Sequence, residues 1–460
     1  MSEHLLFLTG ALAERPLRRV LDGLDLGETT WSVRQLGVKV AALMTADLIR
    51  RRLLDTGAAD RIIIPGRCRG DLAALSAHFG IPVERGPEEL MDLPGFFGLA
   101  GRTPDLSAYS VRIFAEIVDA PRLTVPLILE RAAAFRADGA DVIDLGGLPD
   151  TPFEHLAATV VALKEAGFLV SIDSMQPTEL LTGGRAGADF LLSLNEDTLW
   201  IADQVVACPV LVPATPGDLP SLERAMARLD LDARPYLADP ILDPIHFGFA
   251  DSVVRYHELR RRYPAAQLMM GLGNLTELTE ADTLGINAIL MGLVSELAID
   301  NVLTTQVSAH CRSAIREADR ARRIMHWARQ EGSLPKQVDP GLTAIHERNP
   351  FPASIDDIRE LAAAVRDPSY RIQVSTAGIH CFNRDGLHSF DDPFAFYPHL
   401  GVEQDAGHAF YLGVELARAQ IAQRLGKRYV QDQDLRWGCV LPPEPTDLEQ
   451  VTPRGPTRKR

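Results

Sequence analysis

The stretch Leu268-Met-Met-Gly-Leu-Gly-Asn-Leu-Thr-Glu277 is the part of the sequence that decides the fold. Its apolar first half ends at Gly271, and Asn274 follows at the point where a strand would give way to a helix. This pattern is typical of a βα unit, and barrel enzymes place their chemistry at the C-terminal ends of such strands. The carboxamide of Asn274 offers one acceptor and two donors, which suit the edge of a flat heterocyclic ring.

The same pattern recurs through the middle of the chain, where apolar strands alternate with amphipathic segments of helical periodicity. We count eight βα units in residues 106–332, which predicts a closed (β/α)8 barrel of the TIM type. An open doubly wound sheet is the alternative, but the even spacing and a long last helix near Cys311–Gln330 favour closure. The predicted strands are Val111–Val118, Asp141–Leu145, Phe168–Ile172, Phe190–Leu194, Val206–Val212, Tyr236–Leu237, Leu268–Met270 and Ala288–Leu293.

Two further domains and a tail are predicted around this α/β barrel. Residues 1–105 alternate buried strands with a helix, which indicates a small flavodoxin-like α/β domain. Residues 336–443 mix proline-bounded loops with a strand and a long helix that stops at a glycine, which indicates an α+β domain. Residues 444–460, rich in proline and charge, are expected to be a disordered tail. The elements predicted in the outer domains are Leu5–Gly10, Val40–Leu54, Arg61–Pro65, Tyr370–Ser375 and Ala406–Leu425.

Composition excludes several classes of protein. The formal net charge of −15 argues against a general nucleic-acid or acidic-membrane binder, because phosphate-rich partners attract the opposite charge. The five cysteines are scattered without a CxxC spacing, so we expect reduced thiols rather than a zinc site or disulfides. No basic signal-peptide region and no apolar run of transmembrane length occurs, which predicts a soluble cytoplasmic protein. A homodimer is compatible with the sequence, which leaves the oligomeric state open.

Polar side chains close the predicted barrel strands one after another. A single Asp after a strand is more often a helix N-cap than a functional residue. Here several carboxylates and amides converge on one end of the barrel, and that concentration favours a binding site. The strand-end residues are Glu116, Asp119, Asp173, Ser193, Asn195, Asp239, Asp243 and Asn274, and strand two contributes the stretch Asp141–Gly147.

These strand ends resemble those of the pterin-binding barrels, which include dihydropteroate synthases and corrinoid-linked methyltransferases. The resemblance covers about half the chain and rests on Ala137–Gly147, Val170–Ser174, Gly187–Asp189, Ala238–Pro240 and Met270–Asn274. It implies that the pterin's pyrimidine edge is held by Asp173, Asp239 and Asn274, the first and last of which would be catalytic. It further implies pterin contacts from Ser193 or Asn195 on strand four, from Asp243 as the alternative to Asp239, and from Glu116. A flat ring also needs apolar walls, and we expect Ile172, Leu192 and Met270 to supply them from neighbouring strands.

The sequence departs from ordinary dihydropteroate synthases. Their Ser-Arg-Lys motif after strand seven is replaced by Gly273-Asn-Leu275, and their Asn-Val-Thr-Pro-Asp loop after strand one is absent. The three-domain architecture resembles the dihydropteroate synthase-like proteins associated with tetrahydromethanopterin biosynthesis. That resemblance implies a transferase that joins hydroxymethyl-dihydropterin diphosphate to a ribofuranosyl-aminobenzene phosphate and releases diphosphate.

An acidic protein needs a local cationic site for phosphorylated substrates. His310 and Arg312 follow strand eight and resemble, in reversed order, the Arg-x-His pair of the synthases, so we predict that they bind phosphate. The glycine- and arginine-rich turn at Pro65–Gly70 is better explained as a tight surface turn. Mg²⁺ is expected with a diphosphate leaving group, with Asp119 as its ligand. For the C-terminal histidines we favour packing in loops over metal binding; they are His380, His388, His399 and His408.

Two other functions remain open. A methyltransferase that moves a methyl group between a tetrahydropterin and a corrinoid fits Glu116 and Asn274, and it needs no phosphate site. A pterin-binding protein without catalytic activity is the second alternative. His310 and Arg312 discriminate the synthase from both alternatives, because only an enzyme that releases diphosphate depends on phosphate-binding side chains.

Overall fold

The structure is a computed structural model, and it describes residues 3–39, 41, 44–87, 90–99 and 104–442. The chain divides into two compact units, the first formed by residues up to Ser110 together with Arg323–Asp339. The second unit comprises Val111–Arg322 and the residues from Pro340 onward. The predicted tail at 444–460 lies outside the described residues, as does part of the helix predicted at Val40–Leu54. The predicted domain borders stay predictions.

The first unit contains a parallel four-stranded sheet in the order β2-β1-β3-β4. Both faces are covered: Leu6 and Leu8 pack on one side of β1, and Leu5 and Phe7 on the other. The continuous apolar run of β1 reflects this double burial. The elements are β1 (His4–Thr9), α1 (Ala11–Asp22), β2 (Thr30–Gln35), α2 (Ala46–Arg52), β3 (Arg61–Ile64), α3 (Leu72–Phe79), β4 (Val83–Arg85) and α4 (Leu93–Phe96).

The second unit begins with the barrel, which confirms the predicted fold class. Eight parallel strands pair in the order β10-β9-β8-β7-β6-β5-β12-β11, and a bridge between Ala238 and Leu268 joins the two ends. The elements are β5 (Arg112–Ile117), α5 (Val125–Ala137), β6 (Val142–Gly146), α6 (Leu156–Glu165), β7 (Leu169–Asp173), α7 (Pro177–Arg185), β8 (Phe190–Leu194), β9 (Cys208–Leu211), α8 (Leu219–Leu231), β10 (Leu237–Ala238), α9 (Phe249–Arg262), β11 (Met269–Gly271), α10 (Gly273–Thr276), α11 (Thr283–Glu296), β12 (Asn301–Thr304) and α12 (Ala314–Glu331).

The eighth strand is not where the sequence pattern predicted it. Residues Ala288–Leu293 lie inside helix α11, and the strand is β12, Asn301–Thr304. The buried side chains of α11 recur at the helical spacing of three and four residues; they are Thr283, Asn287, Leu290, Met291 and Val294. A short apolar run is compatible with either a buried helix or a buried strand, and periodicity over six residues does not separate them.

The barrel interior is layered, because alternate residues of each strand point inward. At the bottom, the Arg112 guanidinium donates to the Asn301 side chain at 2.8 Å. Above it, Phe114 and Phe190 meet edge to face with 4.9 Å between ring centroids. The apolar layer also contains Val142, Leu192, Val210, Leu237 and Met269. The next inward positions along the strands lie above this apolar floor, at the C-terminal mouth.

The C-terminal part of the second unit is an α+β sandwich, as predicted. Its antiparallel sheet runs β13-β14-β15. Ile358 of the first helix packs on Phe382, and the other two helices pack on the opposite face of the sheet. The elements are α13 (Ile355–Ala364), β13 (Arg371–Ser375), β14 (Gly378–Asn383), β15 (Gly386–Phe390), α14 (Pro393–Leu400) and α15 (Ala406–Leu425).

The C-terminal histidines lie in regular elements, so their predicted packing in loops was wrong. His380 is buried on β14, where its two ring nitrogens contact the hydroxyls of Ser375 and Ser389, each at 2.8 Å. His388 on β15 stacks against His399 on α14, with centroids 4.5 Å apart. Among the described residues, none of these histidines belongs to a group of three side chains that could hold a metal.

Within the described ranges, no helix combines the length and the apolar character needed to cross a bilayer.

Candidate functional site

Three carboxyl groups meet at the mouth of the barrel on adjacent strands. Glu116 lies on β5, Asp144 on β6 and Asp173 on β7, and one carboxyl oxygen of each lies within 4.8 Å of those of the other two. The strand register produces this arrangement, because Glu116 pairs with Asp144, and Gly146, two residues further along β6, pairs with Asp173. We call Glu116, Asp144 and Asp173 the acidic triad.

Gly146 makes room for the acidic triad. A Cβ at this position would lie 2.6 Å from Glu116 Oε1 and 3.0 Å from the Val118 backbone, so any larger residue would displace the Glu116 carboxyl. Asp144 is fully buried and its Oδ1 accepts a hydrogen bond from the Ser171 hydroxyl. Its Oδ2 is buried without a hydrogen-bond partner. A buried polar atom of this kind requires an explanation, and a bound ligand, ion or proton would provide one.

The electrostatic environment of the acidic triad raises the pKa of all three carboxyl groups. Burial, reinforced by the nearby charges of Asp173 and Glu277, raises the pKa of Glu116 to about 7. Burial and the charges of Asp173 and Glu116 raise the pKa of Asp144 well above its usual range, and burial also raises that of Asp173. Among the described residues, no Lys or Arg forms an ion pair with any of the three. The group is therefore suited to a ligand rich in hydrogen-bond donors, or to a cation.

Of the two candidates on strand four, Ser193 is the one that lies beside Asp173. Its hydroxyl donates to Asp173 Oδ1 at 3.0 Å, and it adopts a left-handed φ of 63° where the strand register shifts between Leu191 and Leu194. The Asn195 side chain instead accepts from the backbone of Asp197 at 3.0 Å and closes a local turn. Ser193 is exposed, so the Asp173 carboxyl faces the open mouth.

The two carboxylates after strand six have different environments. Asp239 Oδ1 accepts from the Tyr256 hydroxyl at 2.6 Å and from the Ile241 backbone N–H at 2.7 Å. Burial raises the pKa of Asp239 to about 6, although those two hydrogen bonds and Arg255 act to lower it. Asp243 forms an ion pair with Arg255 at 2.6 Å, with both side chains mostly buried. Asp239 is thus the carboxyl available to a ligand, while the charge of Asp243 is already neutralised.

Asn274 and the residues that follow it connect three strand ends. The Asn274 amide donates to the Leu242 carbonyl at 2.7 Å, which links the ends of strands seven and six. Glu277 accepts from the Val307 and Ser308 backbone N–H groups at 2.8 and 2.9 Å, so it anchors the loop after β12. Burial acts to raise the pKa of Glu277, but these hydrogen bonds bring it below its ordinary value.

The predicted phosphate residues lie on the loop that Glu277 anchors. The His310 ring contacts the Thr276 carbonyl at 3.1 Å, and the Arg312 side chain is exposed. In the part of the chain that the structure describes, Arg312 forms no ion pair with a carboxylate. Arg312 is free to contact an anion, whereas one His310 nitrogen is already engaged.

Asp119, the predicted metal ligand, lies apart from the acidic triad. It forms an ion pair with Arg131, and about two-fifths of its side chain is exposed. The acidic triad is the better place for a cation, because three carboxyl oxygens converge there and hard cations such as Mg²⁺ prefer oxygen ligands. The Oδ2 atom of Asp144, which is buried without a hydrogen-bond partner, is also suited to contact a cation there.

The apolar walls of the site differ from those expected. Leu192 belongs to the inner apolar layer, but Met269 rather than Met270 accompanies it. Ile172 packs toward helix α7, since a Cβ on Gly183 would lie 2.6 Å from its side chain. Strand alternation decides both points, because residues one apart on a strand face opposite sides.

Several contributors to the site were not selected from the sequence. Asp144 is an isolated carboxylate inside an apolar strand, which is a signal that sequence reading could have weighed. Tyr256 and Glu277 carry no such signal. Tyr256 lies among polar residues of helix α9, Glu277 lies in the turn that follows α10, and each reaches the site only through the fold. No pattern in the sequence indicates that the Tyr256 hydroxyl donates a hydrogen bond to Asp239 and orients it.

Sequence comparisons find two similarities. Residues 3–88 match the model of a family of unknown function, DUF6513. The chain is also 26% identical to an uncharacterized protein of Methanocaldococcus jannaschii, over 94% of this chain and 98% of that protein.

Comparison with solved structures finds dihydropteroate synthases. The enzyme of Yersinia pestis is 16% identical with a TM-score of 0.38, over 49% of this chain and 95% of that chain. The enzyme of Coxiella burnetii, in complex with pteroic acid, is 15% identical with a TM-score of 0.39, over 49% and 94%. The enzyme of Thermus thermophilus, in complex with 6HMPPP, is 20% identical with a TM-score of 0.37, over 47% and 93%. Values of this size assign neither family membership nor activity, and these structural neighbours cover about half of the chain.

Proposed function

We propose that this protein is a pterin-binding transferase of the dihydropteroate synthase type that acts in tetrahydromethanopterin biosynthesis. The observation that carries the proposal is the Asp173 carboxyl, which faces the open mouth from a group of three acidic side chains that form no ion pair with a Lys or Arg among the described residues. The 2-amino and ring N–H groups of a pterin are adjacent donors, and a carboxylate is their best acceptor. The strand-end motifs that resemble pterin-binding barrels support the same ligand.

The residues of the mouth would orient the ring rather than react with it. Asp173 and Asp239 would accept from its donors, Asn274 would contact its edge, and the Leu192 layer would lie beneath it. In the condensation, the arylamine nitrogen forms a bond to the pterin methylene carbon. The bond from that carbon to the diphosphate oxygen breaks, its electron pair leaves with diphosphate, and the amine releases one proton. Such a reaction depends mainly on positioning and on neutralised charge.

Mg²⁺ is the cation that we expect to accompany a diphosphate substrate. Glu116, Asp144 and Asp173 would hold it, since their oxygens are the group that fits a hard cation. When bound, it would offset negative charge at the mouth. Asp119 is the alternative ligand, and it would first have to leave Arg131.

The substrate requirement is the direct test of the proposal. We expect diphosphate release only when hydroxymethyl-dihydropterin diphosphate and a ribosylated, phosphorylated arylamine are both present. Plain 4-aminobenzoate should be a poor acceptor, because the Ser-Arg-Lys motif and the strand-one loop of ordinary synthases are absent. A coupled pyrophosphatase assay measures the release. Efficient turnover of 4-aminobenzoate would contradict the methanopterin assignment, and no release with any acceptor would contradict the synthase.

Arg312 provides a second test, directed at the phosphate groups. Arg312→Ala should raise the Michaelis constant for the phosphorylated substrates about tenfold, which corresponds to about 1.4 kcal/mol for one charge-assisted contact at an exposed side chain. Affinity for an unphosphorylated pterin should stay constant, because the ring contacts lie on other strands. The matched control is Arg261→Ala, a change in the last turn of α9. Equal losses for phosphorylated and unphosphorylated ligands would show that Arg312 acts structurally, and the Arg67–Arg69 turn would become the next candidate.

One observation favours a methyltransferase as the second candidate. The pKa of Glu116, raised by burial to about 7, makes this side chain able to give a proton to a pterin nitrogen near neutral pH. Methyl transfer from a methylated tetrahydropterin to cob(I)alamin would support that function. A protein that binds pterin but supports neither reaction would be the non-catalytic pterin-binding protein.

A further inference from the structure

The outer face of helix α15 is apolar and uncovered. At helical spacing, this face presents Phe410, Gly413, Val414, Ala417 and Ile421. Phe410 is 75% exposed and Ile421 is 42% exposed. A Cβ added at Gly413 would meet nothing within 4 Å, so the centre of the face is open. The opposite side of the same helix packs on the C-terminal sheet through Leu412, Leu416 and Ala419.

Helix α14 extends this face. The Gln420 amide donates to the Asp391 carbonyl at 3.2 Å, which brings the start of α14 beside the exposed side of α15. Phe394 on α14 is 86% exposed and Tyr397 is 51% exposed. We call Phe394, Tyr397, Phe410, Gly413, Val414, Ala417 and Ile421 the α14–α15 face. Soluble monomers rarely expose a contiguous apolar patch of several large side chains, and such patches mark interfaces.

We propose that the α14–α15 face is the interface between two copies of this chain, related by a twofold axis that passes near Gly413 and Ala417. The two α15 helices then run antiparallel. Small residues at the crossing point allow the helix axes to approach closely, and the larger side chains fill the space on either side. A twofold interface uses the same patch on both copies, so a self-complementary apolar face is what it requires.

The charges at the ends of α15 are complementary in this arrangement. Arg424 is exposed in the last turn, whereas Glu403 and Asp405 are exposed just before the first turn. In an antiparallel pair centred between Gly413 and Ala417, Arg424 of one copy lies beside the acidic residues of the second copy. Between these ends, the exposed side of α15 carries no charged residue, so no like-charge repulsion is expected where the two helices cross.

The exposed area is in the range that a dimer needs. The three aromatic side chains expose roughly 400 Å² per chain, about half of the ~800 Å² that each partner contributes to a standard interface. Val414, Ile421 and the helix backbone at Gly413 and Ala417 add to this area. The face is far from the barrel strands in sequence, and the inference is independent of the proposed function.

The test is the oligomeric state of the full chain, measured by sedimentation velocity over a range of concentrations. We expect two chains per particle for the wild type. Phe410→Asp should raise the dimer dissociation constant on the order of 1000-fold, because each of the two copies loses a buried aromatic contact. Ala417→Glu should act in the same direction. The control is Ile289→Asp, which places the same charge on an exposed apolar position of α11 and should leave the dimer intact.

A charge exchange tests the antiparallel arrangement. Arg424→Glu should raise the dissociation constant several-fold, and adding Glu403→Arg should restore it, with circular dichroism confirming that each variant is folded. A wild type that stays monomeric at high concentration would overturn the proposal. A dimer that survives both Phe410→Asp and Ala417→Glu would place the interface elsewhere, and a double charge variant that dimerises no better than Arg424→Glu would overturn the antiparallel pairing.

Discussion

Asp173→Asn is expected to abolish pterin binding while leaving the protein as stable as the wild type or more stable. The change replaces an acceptor of two charge-assisted hydrogen bonds with an amide that accepts only on one side. Each such bond contributes about 1.5–3 kcal/mol, so the loss in affinity should be at least about 100-fold. Stability should not fall, because burial raises the pKa of Asp173 and its charge lies close to the carboxyl groups of Glu116 and Asp144.

Calorimetry with an unphosphorylated pterin and thermal unfolding of the same samples measure the two effects. The matched control is Asp197→Asn, an exposed Asp in the loop after strand four, which should change neither. Replacing a binding-site charge should lower affinity without lowering stability, because natural sites retain charges that cost stability. Replacing a structural residue should lower stability instead. Pterin affinity within a few-fold of the wild type would remove Asp173 from the site, and lost stability would identify it as structural.

Glu116→Gln is expected to stabilise the protein in a pH-dependent manner. The pKa of Glu116 is raised from 4.5 to about 7 in the folded protein by burial and by the charges of Asp173 and Glu277. Between these two values the folded state binds a proton that the unfolded chain releases, so stability is lost as pH rises toward 7. The full effect amounts to about 3.5 kcal/mol at most, since one pKa unit corresponds to about 1.4 kcal/mol.

The variant should therefore match the wild type at about pH 4 and exceed it increasingly toward about pH 8. The midpoint of urea-induced unfolding, followed across this range, measures the difference. Glu130→Gln on the exposed side of α5 is the control and should track the wild type throughout. Parallel curves for Glu116→Gln and the wild type would mean that Glu116 is solvated and that the acidic triad is not the closed group that its geometry indicates.

Much of the geometry of the candidate site could be predicted, because its polar residues lie at the ends of strands. Asp173, Asp239 and Asn274 each follow an apolar run, and parallel strands of a barrel bring their C-terminal ends to one mouth. The eighth strand was not predictable, because the apolar run at Ala288–Leu293 reads equally well as a helix. The choice between Ser193 and Asn195 was also open, since a register shift on β8 decides which side chain reaches Asp173.

By itself, the sequence determined that the chain forms a parallel barrel between an α/β region and an α+β region. It also determined which strand ends carry polar groups, since both properties follow from local alternation of apolar and polar residues. Only the tertiary structure decided that Glu116, Asp144 and Asp173 converge, that Arg255 neutralises Asp243, and that Asp239 stays available. Those relations depend on strand register and on distances between residues far apart in the chain. A one-residue change of register would turn the same side chains to the opposite face, and no local pattern records that choice.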